Sequence, residues 1–121
     1  MKESTPLPPE TPPRITALRE AAAIIAGDRD VQYGGPEDNF ARIAKIWSVI
    51  LGIHVSSEDV AMCMVGLKVA RYASKSGFQP DTWIDISGYA GCGYEVGLLA
   101  VQTNLTGTTL QNAVPETAAA A

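Results

Sequence analysis

Apolar side chains recur every three to four residues through four stretches of the chain, and no stretch alternates with a period of two. This spacing is the period of an amphipathic helix, so the pattern predicts an all-α fold, a four-helix bundle-like domain. The first two helices are expected at residues 16–26 and 36–51, and each is followed by a glycine that ends it. The third helix follows a cap at Ser56 or Ser57, and the fourth covers about residues 81–101.

The same spacing gives each of the first three helices an apolar side. These sides are expected to form the core, with Leu18, Ala22 and Ile25 from the first helix, Phe40, Ile43, Trp47, Ile50 and Leu51 from the second, and Val60, Cys63, Met64, Leu67 and Ala70 from the third. Trp83 of the fourth helix is also expected in the core, because tryptophan at a helix-face position is more often buried than used to stack on a ligand.

The fourth predicted helix contains four glycines, at positions 88, 91, 93 and 97. Each glycine costs about 1 kcal/mol relative to alanine in a helix interior. A missing side chain lets another backbone approach closely, so this helix is predicted to be the central packing element of the domain or of an oligomer. The alternative is that residues 91–93 break the helix in two.

Composition narrows the class of protein. The chain has 121 residues, enough for one domain with a modest core, which we place at residues 15–102 between a proline-rich arm (1–14) and a low-complexity tail (103–121). Only 18% of the residues are charged, below the roughly 25% of typical domains, which favours a homo-oligomer. The net charge of −4 disfavours a nucleic-acid polymer as partner. We expect no membrane span and no secretory signal, and therefore a cytoplasmic protein. Because the cytoplasm is reducing, Cys63 and Cys92 are expected to be buried, reduced thiols.

The third predicted helix carries a group of basic residues, and the fourth carries a group of acidic residues. Lys68, Arg71 and Lys75 are spaced to share one face of the third helix. The fourth helix places Asp81, Asp85 and Glu95 within a narrow arc, which could bind a divalent cation. Two such faces on neighbouring helices indicate either an ion-pair network or a site for a charged small ligand.

Each of these groups has two interpretations. Asp81 and Asp85 could share Mg²⁺, but an ion pair between Asp85 and Lys68 or Arg71 is favoured, because helical magnesium sites are rare. Tyr33, beside a Gly-Gly-Pro turn, could stack on a base, although an ordinary loop is the favoured interpretation.

Several segments together resemble a family of small phage and prophage proteins of unknown function. The segments are Asp-Val-Gln-Tyr-Gly-Gly-Pro-Glu-Asp-Asn-Phe at 30–40, Trp47, Asp-Val-Ala-Met at 59–62, Lys-Val-Ala-Arg at 68–71 and Asp-Thr-Trp-Ile-Asp-Ile-Ser-Gly-Tyr-Ala at 81–90. The resemblance covers about residues 18–95.

The last two segments are also similar to all-α nucleotide-modification-associated and MazG-like domains. That resemblance implies an oligomeric helical bundle that binds nucleoside phosphates, and in its catalytic members clustered carboxylates hold Mg²⁺ while water attacks a phosphate. Lys68, Asp81 and Asp85 match the pattern. The Glu-Glu-x-x-Glu run of the catalytic members is not matched, because Phe40 and Ala41 stand where a further carboxylate would fall.

The leading hypothesis is a phage-encoded oligomer that binds a nucleotide or cyclic nucleotide without turnover and sequesters a host immune signal. Lys68 and Arg71 would hold phosphates, and Tyr33 or Tyr89 would stack on a base. Asp85 would orient Lys68 or accept a hydrogen bond from the ligand. One alternative is a magnesium-dependent nucleoside triphosphate pyrophosphohydrolase with metal at Asp81 and Asp85, joined by Glu37 or Glu95. Another is a structural or protein-interaction bundle.

Overall fold

The computed structural model describes residues 6–26 and 35–107, with side chains as far as residue 104 in the last helix. This part of the chain forms four helices and no strand. The helices are α1 (Pro13–Ile25), α2 (Pro36–Leu51), α3 (Ser57–Ala73) and α4 (Pro80–Gly107). The all-α prediction is confirmed.

The helix ends follow local chemistry. Ser56 caps α3: its Oγ accepts a hydrogen bond from the Asp59 backbone N–H at 3.0 Å, and its own N–H donates to Asp59 Oδ2 at 2.9 Å. Gly52 ends α2 in the left-handed conformation at φ 72°. Between the two helices, the Val55 N–H donates to Ser48 Oγ at 2.8 Å, which fixes the short connection.

Three of the four helices differ in extent from the prediction, and one of them, α4, continues beyond its expected end near residue 101 to Gly107. Helix α1 begins at Pro13, three residues before the expected start, because the fixed φ of proline suits the first helical position. Helix α3 ends at Ala73, so Lys75 lies beyond it and does not extend the basic face of Lys68 and Arg71.

Helix α4 is the central element. It contacts α1, α2 and α3, and it runs antiparallel to α3, with Gly93 beside Ala61 and Gly97 beside Glu58. A Cβ atom at Gly93 would lie 3.1 Å from Ala61 Cβ, which confirms that the missing side chain permits close approach. The helix continues through residues 91–93 and extends to Gly107, so the alternative of a break there is wrong.

The core is small. Among the described residues, its main cluster consists of six buried residues and five half-buried ones packed against them, namely Phe40, Ala44, Val55, Val60, Ala61 and Val96, then Ile43, Trp47, Met64, Tyr89 and Cys92. Ala21 and Ile84 are buried outside this cluster.

Much of the predicted core assignment is wrong. Eight residues expected inside are exposed, namely Leu18, Ala22, Ile50, Leu51, Cys63, Leu67, Ala70 and Trp83. Trp83 is 52% exposed and packs edge-on against Tyr72, with ring centroids 6.0 Å apart. The physical reason is that the helices are apolar on their outward sides as well, so the period alone does not select the buried side.

Candidate ligand-binding site

A cavity of about 510 Å³ opens between α1, the start of α2, the middle of α3 and the first half of α4. Its wall is mainly apolar. It is lined by Ala21, Ile24, Ile25, Gly35, Pro36, Asn39, Phe40, Ile43, Met64, Lys68, Ile84, Asp85, Gly88, Tyr89 and Cys92. Such a wall, apolar with a few polar groups, is typical of small-molecule sites.

One ion pair supplies the charge of this wall. Lys68 Nζ lies 3.0 Å from Asp85 Oδ2, and the side chains are 16% and 38% exposed respectively. Among the described residues that line the cavity, these two are the only charged ones. The favoured interpretation of Asp85, a pair with the preceding helix, is confirmed.

The helices themselves bring this pair together. Because α3 and α4 are antiparallel, the inward side of α3 at Lys68 meets the inward side of α4 at Asp85, just as Ala61 meets Gly93 further along. The lysine is therefore held at the α3–α4 contact and reaches the cavity from there. An ammonium group has three N–H donors, so the bond to Asp85 leaves donors that can serve a ligand.

Two further polar side chains stand in the wall. Tyr89 lies one turn after Asp85 on α4, and it offers both an aromatic ring and a hydroxyl group. Asn39, in the first turn of α2, lines the cavity too and was missed by the sequence reasoning. The sequence did contain a signal for Asn39: its position three residues after Pro36 and four before Ile43 places its amide on the side of α2 that these two residues share.

The other predicted site residues lie elsewhere. Arg71 and Asp81 are exposed and do not line the cavity. Tyr33 falls outside the described residues, so its role stays a prediction. The part of the chain described here has no group of three or more His, Cys, Asp or Glu side chains placed to hold a metal ion.

The glycines of α4 explain why the cavity has this shape. A Cβ at Gly88 would lie 3.1 Å from Ile25 Cγ2, and one at Gly91 would lie 3.3 Å from Ile25 Cδ1. The end of α1 therefore rests directly on the α4 backbone, and its residues close one side of the cavity.

Comparison with known proteins identifies the family. The model of a domain of unknown function, DUF6378, matches residues 16–97, most of the helical part. The chain belongs to the DUF6378 family. It is 41% identical to the Gene 55 protein of Mycobacterium phage L5 over 78 residues, covering 64% of this chain and 49% of that protein. It is also 41% identical to the Gene 55 protein of Mycobacterium phage D29 over 75 residues, covering 62% and 49%.

These matches confirm the expected resemblance to phage proteins of unknown function. This DUF6378 chain spans about half the length of the phage relatives that it matches. No solved structure matches it. The likeness to MazG-like domains stays a prediction. Across the described residues, every helix is too short or too polar to act as a membrane span.

Proposed function

We propose that this DUF6378 domain binds a nucleotide-type ligand in the cavity between α1, α2, α3 and α4, without turning it over. The observation that carries the proposal is the Lys68–Asp85 pair in the wall of an otherwise apolar cavity, with Tyr89 beside it. The pair presents an N–H donor and a carboxylate acceptor side by side. A purine or pyrimidine edge has the same alternation of acceptors and donors.

The size of the cavity agrees with such a ligand. Small-molecule sites usually enclose roughly 300–1,000 Å³, and this cavity, at about 510 Å³, has room for a base with its sugar. Tyr89 supplies an aromatic face for stacking. The half-buried Lys68 ammonium would donate to a phosphate or a base carbonyl, and the more open Asp85 would accept from an exocyclic amine.

Arg71 has a different place in this proposal. It lies three residues after Lys68 on α3 and is exposed outside the cavity. A phosphate that projects from the cavity would meet it, whereas the base would not. Arg71 is therefore expected to affect phosphorylated ligands more than nucleosides.

Binding without hydrolysis is supported by the local carboxylates. Metal-dependent attack on a phosphate needs clustered carboxylates, and Asp85 is instead engaged by a lysine, whose positive charge opposes a metal ion at the same oxygen. Asp81, the other proposed metal ligand, is exposed away from the cavity. Sequestration of a host signalling nucleotide is a role that such a protein could perform in a phage.

The test is ligand depletion. The full chain is incubated with a panel of nucleotides and cyclic nucleotides plus Mg²⁺, the remaining free ligand is measured, and the protein is then heated and the released material identified by mass spectrometry. We expect one ligand to be depleted and then recovered intact. Release of a monophosphate with pyrophosphate would support the hydrolase instead, and no depletion of any ligand would reject the proposal.

Matched variants locate the binding. Lys68→Met should weaken binding at least tenfold, because it removes the only cation in the described wall of the cavity. Lys75→Met is the control, since Lys75 is exposed beyond the end of α3 and its loss changes the net charge equally. Equal effects of the two substitutions would indicate non-specific attraction of an anion rather than binding in this cavity.

A further inference from the structure

The outward side of the α3–α4 pair carries no charged side chain over most of its length. We define this outer face by Met62, Gly66, Val69 and Ala73 of α3 and by Trp83, Ala90, Tyr94, Leu98 and Val101 of α4. All nine residues are exposed, among them Met62 at 67% and Tyr94 at 74%. An isolated apolar residue on a surface needs no explanation, but a continuous uncharged face on two neighbouring helices does.

Helix geometry places these residues on one surface. The α3 positions recur at intervals of four, three and four residues, and the α4 positions at intervals of three, four and seven, so each set forms one stripe. The antiparallel helices contact each other on their inward sides, where Ala61 meets Gly93 and Lys68 meets Asp85. The two stripes point away from these contacts, so they adjoin on the outward side of the pair. Among the described residues, charge returns at the end of the face formed by the first turn of α3, where Asp59 precedes Met62 on the same stripe and Glu58 stands against Gly97.

The geometry points to a second copy of this chain as the occupant of the outer face. An uncharged face requires an uncharged partner, because a charged partner would lose its hydration without gaining an ion pair. The same face of another copy meets that condition over its whole length. Two copies related by a two-fold axis would stack their α3–α4 pairs as a layer of four helices, a closed and self-complementary contact.

The area agrees with a specific dimer. At 1.5 Å per residue, the stripes are about 18 and 28 Å long, and each helix is about 10 Å wide. The face therefore measures on the order of 500 Å² per copy before its corrugation is counted, and two copies reach the roughly 1,000 Å² of a specific interface. Gly66 and Ala73 leave room for the partner helix to approach, while Trp83 and Tyr94 are residue types enriched at interface centres.

The dimer face and the cavity lie on opposite sides of the α3–α4 pair. Dimerisation through the outer face leaves Lys68 and Asp85 accessible, so the dimer proposal does not depend on the ligand proposal. Loss of dimerisation is accordingly expected to leave the stoichiometry of ligand per chain unchanged.

Analytical ultracentrifugation of the full chain tests the proposal. The protein concentration is varied from on the order of 1 to 100 μM, the range in which modest interfaces have their dissociation constants. We expect a dimer whose dissociation constant rises at least tenfold in Met62→Lys and in Tyr94→Glu, because each buries an unpaired charge. Both side chains are mostly exposed in the single chain, so helix content by circular dichroism should remain unchanged.

Val49→Lys is the control. Val49 is an equally apolar and exposed residue, but it lies on the outward side of α2. A dimer that survives in Met62→Lys and dissociates in Val49→Lys would overturn the assignment to the α3–α4 pair. A wild-type chain that is monomeric at every concentration would overturn the second copy as occupant. A dimer that forms only after residues 108–121 are deleted would do so as well, since that tail would then be the segment on the face.

Discussion

The two sides of the α3–α4 pair have opposite characters. The inward side contains an ion pair, Lys68 with Asp85, and it borders a cavity. The outward side contains exposed apolar and aromatic side chains and no charge except at the end formed by the first turn of α3. In an ordinary monomer the charged side faces water and the apolar side faces the core. The inward side also buries Val60, Ala61 and Val96 of the core, so the outward side is the one that departs from an ordinary monomer. We propose that this outward side contacts a second copy of the chain, and that a ligand binds on the inward side.

The largest expected effect comes from Gly93→Leu. A side chain there would collide with Ala61, whose Cβ lies 3.1 Å from the position of the first added atom. Overpacking of this kind costs typically about 1–3 kcal/mol, and a four-carbon side chain should reach the upper end. Urea denaturation of the dilute single chain measures it.

Gly66→Leu is the matched control on the outer face of α3. Nothing lies within 4 Å of a Cβ at Gly66, so the stability of the single chain should not fall. Self-association should weaken, because the partner helix would meet the added side chain. A stability loss equal to that of Gly93→Leu would contradict the distinction between the two sides.

A valine pair on one helix gives an intermediate effect. Val60 is 0% exposed and Val69 is 51% exposed. Val60→Ala removes two buried methyl groups and should cost about 2 kcal/mol of unfolding free energy. Val69→Ala should change it by less than about 0.5 kcal/mol in the monomer. Denaturation curves at two protein concentrations, below and above the dimer range, should show a cost for Val69→Ala only at the higher concentration.

A small effect on stability is also expected from Lys68→Met together with Asp85→Leu. Replacing both members of a partly buried ion pair by apolar side chains is often neutral or stabilising, so we expect a change within about 1 kcal/mol. Ligand binding should nevertheless be lost. A large loss of folded protein would show that the pair is needed for folding, and unchanged ligand binding would show that the ligand does not bind at this pair.

The sequence predicted where the helices begin and end better than which side of each helix is buried. Glycine, proline and the serine cap mark the helix ends chemically, so α2 and α3 begin within one residue of their predicted positions. The cause of the α4 glycines was also predicted, since close helix contact needs small residues. The buried side of α3 was not, because Cys63, Leu67 and Ala70 are as apolar as the residues that are buried.

The candidate site was predicted in part for a similar reason. Helical spacing and charge sign narrowed the partner of Asp85 to Lys68 or Arg71, and the structure shows that it is Lys68. Spacing alone also grouped Arg71 with Lys68, although a rotation of 60° about the helix axis moves Arg71 out of the cavity. Asn39 comes from a different helix, and no local pattern connects α2 with α4.

The contact of Ile25 with Gly88 and Gly91 means that the location of α1 is specified by a different helix. Only Ala21 of α1 is buried, so its own sequence carries little information about where it docks. The two glycines of α4 leave the space that determines where α1 packs, and Ile25 is the α1 residue that fills this space. A family member could therefore relocate or release its first helix through substitutions at residues 88 and 91, while the sequence of that helix stayed the same.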